Sequence, residues 1–354
     1  MATVTKTIGT SSRDYSTISA WEADLDNTGV YDTGDDAVGE CYADGTFTDI
    51  LNINGGATSG LSSITLRAAE GQKHAGTPGA GVKISSSPGS TQNLILCSSV
   101  CKITIEDIEI GNMTMNSGGQ TSIFKIASSN TPTTVIQRMI IHDVDWPSGN
   151  GGGFILRADS DVDFQNSFIY ANENDSNAMY GVYPASGGTS ECYNLTIFKL
   201  KGATATYGIY NNGSLVEVKN CISFIDTTGA GSPKDFVPAG EDWDYNISGD
   251  DTADDGTAGT NSFINQTDSN VLVSTTTGSE DLHILLTSNA VKNGTNLTNT
   301  PAGVLWDIDG RPRPSTRWDI GADQISFAAS ALERKLKLSY MNSLSLGDNS
   351  LASF

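Results

Sequence analysis

The amino-acid sequence predicts an all-β fold of the solenoid kind, in which short parallel strands wind in successive coils around one elongated core. Three observations predict it. A pair of short strands around a polar residue returns every 26 to 31 residues. Within each copy, small or apolar residues alternate with polar ones. Turn formers dominate the composition: 38 of the 354 residues are glycine, and Ser, Thr, Asn and Asp fill most polar positions. That mixture favours short strands and turns over long helices.

The chain opens with a stretch unlike the rest. YSTISAWEADL (15–25) has a helical period, with Ile18, Trp21 and Leu25 on one face. Ser19 and Glu22 fit a capping box. Raw strand edges at the end of a solenoid need a cover, so this segment is expected to cap the first coil, within an N-terminal region of residues 1–35.

The solenoid itself is expected over 36–324. Its early turns are GECYADGTFTDILNING (39–55), SSITLRAAEG (62–71), GVKISS (81–86) and NLILCSSV (93–100). The regular copies are ITIEDIEI (103–110), VIQRMII (135–141), VDFQNSFI (162–169), ECYNLTI (191–197), VEVKNCIS (216–223) and DYNIS (244–248). They centre on Asp107, Arg138, Asn166, Asn194, Asn220 and Asn246, whose separations by subtraction are 31, 28, 28, 26 and 26. A period of this length marks stacked units. Counting from the centre, offset −2 holds Ile105, Ile136, Phe164, Cys192 and Val218. Offset +1 holds Ile108, Met139, Ser167, Leu195 and Cys221, and offset +3 holds Ile110, Ile141, Ile169, Ile197 and Ser223. These positions form the predicted core. The central asparagines are expected to be a repeated corner whose side chains hydrogen-bond along the stack. GGFILRAD (152–159) and YGIYNNG (207–213) supply third strands.

The last part of the solenoid carries a recognisable ending. DLHILLTSNAVKNG (281–294) is followed by DIDGRPRPSTRWDIGADQ (307–324). With the Asn-centred coils, this resembles right-handed parallel β-helix proteins of the pectin-lyase-like class, and the DxDGxxRP…DIGAD pattern is similar to endings of bacterial and phage-encoded members. The opening RDYSTISAWEADL with GECYADGTFTD resembles their openings, so the likeness spans roughly residues 10–325. It implies a single-stranded right-handed parallel β-helix with a short N-terminal capping helix and a C-terminal tail. It transfers no catalytic residue. Asp309-Gly310 reads as a turn, Pro312 and Pro314 stop sheet pairing, and Trp306 and Trp318 are placed to seal the open end of the core.

The remaining residues, 325–354, form a tail. AASALERKLKL within it suits a short, locally basic helix for oligomerisation or attachment.

The net charge of −21 argues against binding nucleic acid through a general basic surface. No apolar run is long enough to span a membrane, and MATVTKTIGTSSRDY has no signal-peptide pattern. The five cysteines, Cys41, Cys97, Cys101, Cys192 and Cys221, read as small core residues. No cofactor or metal is expected. Cys97 and Cys101 lack further zinc ligands nearby, and the acid-rich loop GDDTADDG (249–256) offers at most weak calcium binding.

Candidate chemistry sits at offset −3, an outward position holding Asp163, Glu191 and Glu217 in three successive coils. Coils stack at about 4.8 Å. Adjacent acids then approach the roughly 5 Å of a retaining glycosidase pair, and alternate ones the upper end of the inverting range at about 9.5 Å. Tyr193, Trp243 and Tyr245 are candidate sugar-stacking rings. The bland alternative is a solvated acidic stripe. A second cluster, HDVDWPSG (142–149), offers His142, Asp143 and Asp145, with Arg157 in reach as a partner. Outward offsets +2 and +4 hold Ile140, Phe168, Ile222, Tyr170, Phe198 and Phe224. That apolar face needs a cover, and subunits packed about a three-fold axis are the expected one.

Two functional classes follow. One is a phage virion structural protein, such as a head fibre, decoration protein or tailspike-like appendage. It would lie on the external surface of the particle as a homotrimer, joined to other virion proteins through the tail and touching host-surface polysaccharide. The other is a polysaccharide hydrolase or lyase using Asp163, Glu191 or Glu217, or a non-catalytic glycan-binding adhesin, with an extracellular location.

Overall fold

The computed structural model describes residues 2–89, 93–116, 119–128, 132–147, 151–185, 189–212, 215–228, 231–237, 242–253, 261–298 and 302–325. They form a parallel β-solenoid of about seven turns with almost no helix. Of the tail expected for oligomerisation or attachment, residues 325–354, all but Ile325 lie outside the described residues.

Three parallel sheets enclose the core. Sheet A has nine strands, from Thr3–Ile8 and Asp36–Cys41 through Lys102–Glu106, Thr134–Gln137, Val162–Gln165, Ser190–Tyr193 and Leu215–Lys219 to Asp242–Asp244. Sheet B follows it in each coil and includes Glu109–Thr114, Ile140–Trp146, Phe168–Tyr170, Thr196–Phe198 and Ile222–Phe224. Sheet C has seven strands, among them Thr121–Ile126, Gly153–Ala158, Met179–Pro184, Thr206–Tyr210 and Lys234–Val237. The stack starts inside the expected N-terminal region, because Thr3–Ile8 already pairs in register with Asp36–Cys41.

The corner between sheets A and B is the predicted repeat. Asp107, Arg138, Asn166, Asn194 and Asn220 all have left-handed backbones, with φ between 49° and 62°. Asparagine tolerates this conformation better than most residues. Asn194 Nδ2 donates to Asn166 Oδ1 (3.0 Å) and Asn220 Nδ2 to Asn194 Oδ1 (3.1 Å). All three are fully buried. In the next coil the reading is one residue out. Tyr245, not Asn246, follows Asn220 in register and takes the left-handed φ of 58°. Asn246 instead accepts from Cys221 N and donates to Val218 O. Asn112, Asp143, Ala171 and Lys199 make a second left-handed bend farther along sheet B, with φ of 49° to 54°.

The positions predicted for the core at offsets −2, +1 and +3 are all buried. Each fully buried Ile or Phe contributes about 1.5–3 kcal/mol from removal of apolar surface from water. The five cysteines are buried and unpaired.

The capping helix is Ile18–Ala23, and it packs on the first coils with Ile18, Trp21 and Leu25 fully buried. Its cap differs from the predicted box. Thr17 is the N-cap and accepts from Ala20 N at 3.1 Å. Glu22 turns away because Asn54 N and Gly55 N, free donors of the coil below, both reach its Oε1. Among the described residues, no helix is long and apolar enough to cross a membrane.

The ending does not seal the open end. Trp243 and Phe236 pack edge to face inside the last coils. Beyond the coils the chain runs through an antiparallel strand pair, Leu272–Ser274 with Asp281–Ile284, and then folds back along the flank. Trp318 is buried there against Tyr193, Leu297 and Val304, while Trp306 is 46% exposed. The returning segment binds the asparagine ladder itself. Asn220 exchanges two hydrogen bonds with Thr295, Asn166 Nδ2 donates to Gly303 O, and Gly321 N donates to Asn220 O. Arg313, buried, donates to Asn166 Oδ1 and to the carbonyls of Gly321 and Ala322. The outer apolar face is thereby covered within one chain. Ile140, Phe168, Tyr170, Phe198, Ile222 and Phe224 are all buried, so that face no longer calls for a three-fold partner.

Candidate functional site

The predicted acids are brought together. Asp163, Glu191 and Glu217 stand side by side in sheet A, in register from strand to strand. Asp163 is 7% exposed, and Glu191 and Glu217 are half-buried. Burial, with the neighbouring Glu191 charge, pushes the Asp163 carboxyl up to about 7. Burial also raises Glu191, and the Glu217 charge adds to it. Glu217 is committed to structure, since it accepts from the Tyr193 hydroxyl and from Lys219 Nζ. The expected stacking rings are not at hand. Tyr193 lies under the returning segment and Trp243 in the core, both shielded from solvent. Tyr245 lines a separate cavity of about 480 Å³ with Phe263, Lys292 and Arg317.

The raised carboxyl has a measurable consequence. A free aspartate titrates near pH 4, so the unfolded chain loses its proton before the folded one does. The contribution of Asp163 to stability is therefore full below about pH 4 and is lost as pH rises through about 7. Asp163→Asn is expected to match the parent at pH 4 and to exceed it by about 2–4 kcal/mol at pH 8. Urea melts at both pH values check this, and parallel pH profiles for the two proteins refute it.

The second cluster forms an internal charge network. His142 stacks on Tyr170 with ring centroids 5.3 Å apart. Its Nε2 meets Glu109 Oε1 at 3.0 Å and its Nδ1 meets Asp143 Oδ2 at 2.7 Å. Burial would raise Glu109, but His142, Lys83 and the Gly79 amide outweigh it and hold the carboxyl down to about 2. His142 is raised in turn, its burial outweighed by Glu109 and Asp143. Arg157 does not join these acids. It belongs to sheet C, where it binds Gln120 and faces Asp159. In the acid-rich loop, Asp250 is engaged by Thr252 and by Asp235 N, and residues 254–256 lie outside the described set.

The surface that sequence reasoning missed is on sheet C. Phe154, Tyr180 and Tyr207 stand in register on three coils. Their rings stack at 4.8 Å and 5.2 Å. Tyr183 and Tyr210 form a second row, stacked at 5.5 Å. The rows meet at steep angles, with Tyr180 and Tyr183 centroids 5.0 Å apart and Tyr207 and Tyr210 4.9 Å apart. The four tyrosines are half-buried. None of their hydroxyls has a hydrogen-bond partner among the described residues. Two tyrosines three residues apart share a face because the inward–outward alternation breaks between them, with Gly181 and Val182 buried in succession and likewise Gly208 and Ile209. A Cβ on Gly181 would lie 2.4 Å from Gly208 O, so only glycine fits there. The signal in the sequence is the repeated YGVY (180–183) and YGIY (207–210), 27 residues apart by subtraction. Arg157 sits over the Phe154 ring at one end, and Lys234 follows Tyr207 in register at the other.

No family model matches the chain, and no curated protein matches it. Among solved structures it is similar to the pectate lyase Pel9A, with 13% identity and a TM-score of 0.30 over 91% of this chain and 97% of that one. At that level of likeness, nothing about substrate or activity passes to this chain.

Proposed function

We propose that the protein is a rigid glycan-contacting rod of the phage-appendage type, and that it binds polysaccharide along the tyrosine strip of sheet C. The strip carries this reading. It combines apolar ring edges with four uncommitted hydroxyls on a stiff sheet, and a polysaccharide presents the complementary alternation of C–H faces and hydroxyls. Tyrosine binds at low entropic cost because it has few rotatable bonds. Placement on a virion, with the tail as its attachment, rests on the resemblance of the opening and closing motifs.

The test is retention on a panel of immobilised bacterial polysaccharides. Tyr180→Ala with Tyr207→Ala is expected to weaken binding by about five- to 150-fold, since each stacked ring is worth about 0.5–1.5 kcal/mol. The strip is not a binding surface if no glycan retains the protein, or if the double variant binds as the parent does.

A second reading is supported by the in-register acids, with Asp163 held protonated near neutrality beside Glu191. In it Asp163 is a general acid and the same protein shortens the glycan. Loss of chain shortening in Glu191→Gln supports it, and intact glycan after incubation with the parent protein rejects it.

A further inference from the structure

We infer that His283, Asp309 and Asp323 form a site for a first-row divalent cation, which ties three stretches of the non-repeating ending to one another. One nitrogen and two carboxylate oxygens from these residues all lie within 4.8 Å of one another. They come from three separate stretches: the antiparallel strand Asp281–Ile284, the Asp-Gly turn at 309–310, and the final 319–324 stretch. An ion there would tie the three together.

The site is prepared on several sides. Asp281 Oδ1 holds His283 Nδ1, which turns Nε2 toward the other two residues. A carboxylate behind a ligating histidine is the usual outer partner of such a ligand. Nε2 meets Asp309 Oδ1 at 3.1 Å, and a divalent ion would take the place of the proton they share. Arg311 engages the other Asp309 oxygen. Asp323 is 4% exposed. Its Oδ2 accepts Ile284 N at 3.0 Å, and its Oδ1 has no hydrogen-bond partner among the described residues.

A further carboxylate adjoins them. Asp307 is fully buried and repelled by Asp323. Its Oδ1 accepts the Asp309 and Arg311 amides, while its Oδ2 makes no hydrogen bond and lies 3.7 Å from Arg311 Nε. Three acids thus adjoin the histidine and Asp307 stands behind two of them, against Arg311 and the buried Arg313. Gly76 closes the cluster from the opposite side, where a Cβ would fall 2.0 Å from Asp309 Oδ1 and 2.7 Å from His283 Nε2. A cavity of about 220 Å³, lined by Gly76, Pro78, Phe168 and Asp281, adjoins the cluster at Gly76 and Asp281. Mixed nitrogen and oxygen donors suit zinc or manganese better than calcium, which prefers oxygen alone.

The test uses the full chain, stripped with a chelator and dialysed. Zn²⁺ is expected to bind at about one ion per chain and to raise the melting temperature, because it binds the folded state. Co²⁺ in its place should give visible absorption bands. His283→Gln should lose both the bands and the thermal shift. If that variant fails to fold, Asp323→Asn is read in its place. The inference is overturned if the parent takes up no Zn²⁺ saturably, or if a folded variant takes it up undiminished.

Discussion

Asn194→Ala is expected to destabilise the solenoid by about 2–4 kcal/mol. Asn194 is the middle rung of the ladder and is fully buried. Its loss removes one hydrogen bond on each side, to Asn166 and from Asn220. Both neighbours then keep buried polar atoms with fewer partners, at about 1–3 kcal/mol for a group left unsatisfied. Alanine also fits poorly at the left-handed φ of 54°. Asn194→Gly separates the two causes, because glycine accepts that backbone without strain. If the side-chain ladder dominates, both variants lose similar stability in urea. A loss well under 1 kcal/mol for both would mean that the stacked asparagines only mark the corner.

Arg313→Ala is expected to release the returning segment while the coils stay folded. Arg313 is buried and makes hydrogen bonds to Asn166, Gly321 and Ala322. Asp307, Asp319 and Asp323 surround it with negative charge, and it stays charged although burial lowers its pKa to about 10. Removing one partner of a buried charge cluster typically costs about 3–5 kcal/mol, because the remaining charges lose their compensation. Detachment would bare Ile140, Phe168 and Ile222, so binding of a hydrophobic dye should rise and protease should clip the chain after the coils. An unchanged cleavage pattern, with no gain in dye binding, would show that other contacts hold the segment alone. A protein whose coils unfold with the segment would show the two to be one cooperative unit.

Both results bear on how function is arranged. The returning segment and the tyrosine strip use different faces, the first on sheets A and B and the second on sheet C. Covering the apolar face internally leaves the strip as a surface built of half-buried aromatic side chains. The acid column lies on sheet A, where Tyr193 and Lys219 draw Glu217 into structure.

The candidate site was only partly legible. The register of Asp163, Glu191 and Glu217 could be read because it follows from the coil period. Their surroundings could not, because the residues that bury Tyr193 come from about 100 or more positions farther on, at Leu297, Val304 and Trp318. The repeated YGVY and YGIY were visible as sequence, but a spacing of three does not read as one face of a strand. The irregularity at Gly181 and Gly208 is what brings those rings together.

By itself the sequence determined the coil. Its period sets which residue stands above which, and alternation sets which of them face inward. Those are contacts between near-identical neighbours, and a repeating pattern records them directly. Only the tertiary structure decided where the non-repeating ending goes. Thr295, Gly303 and Arg313 meet Asn220 and Asn166 across 75 to 147 residues, and docking at that range depends on shape and on paired donors and acceptors, for which the chain carries no periodic mark.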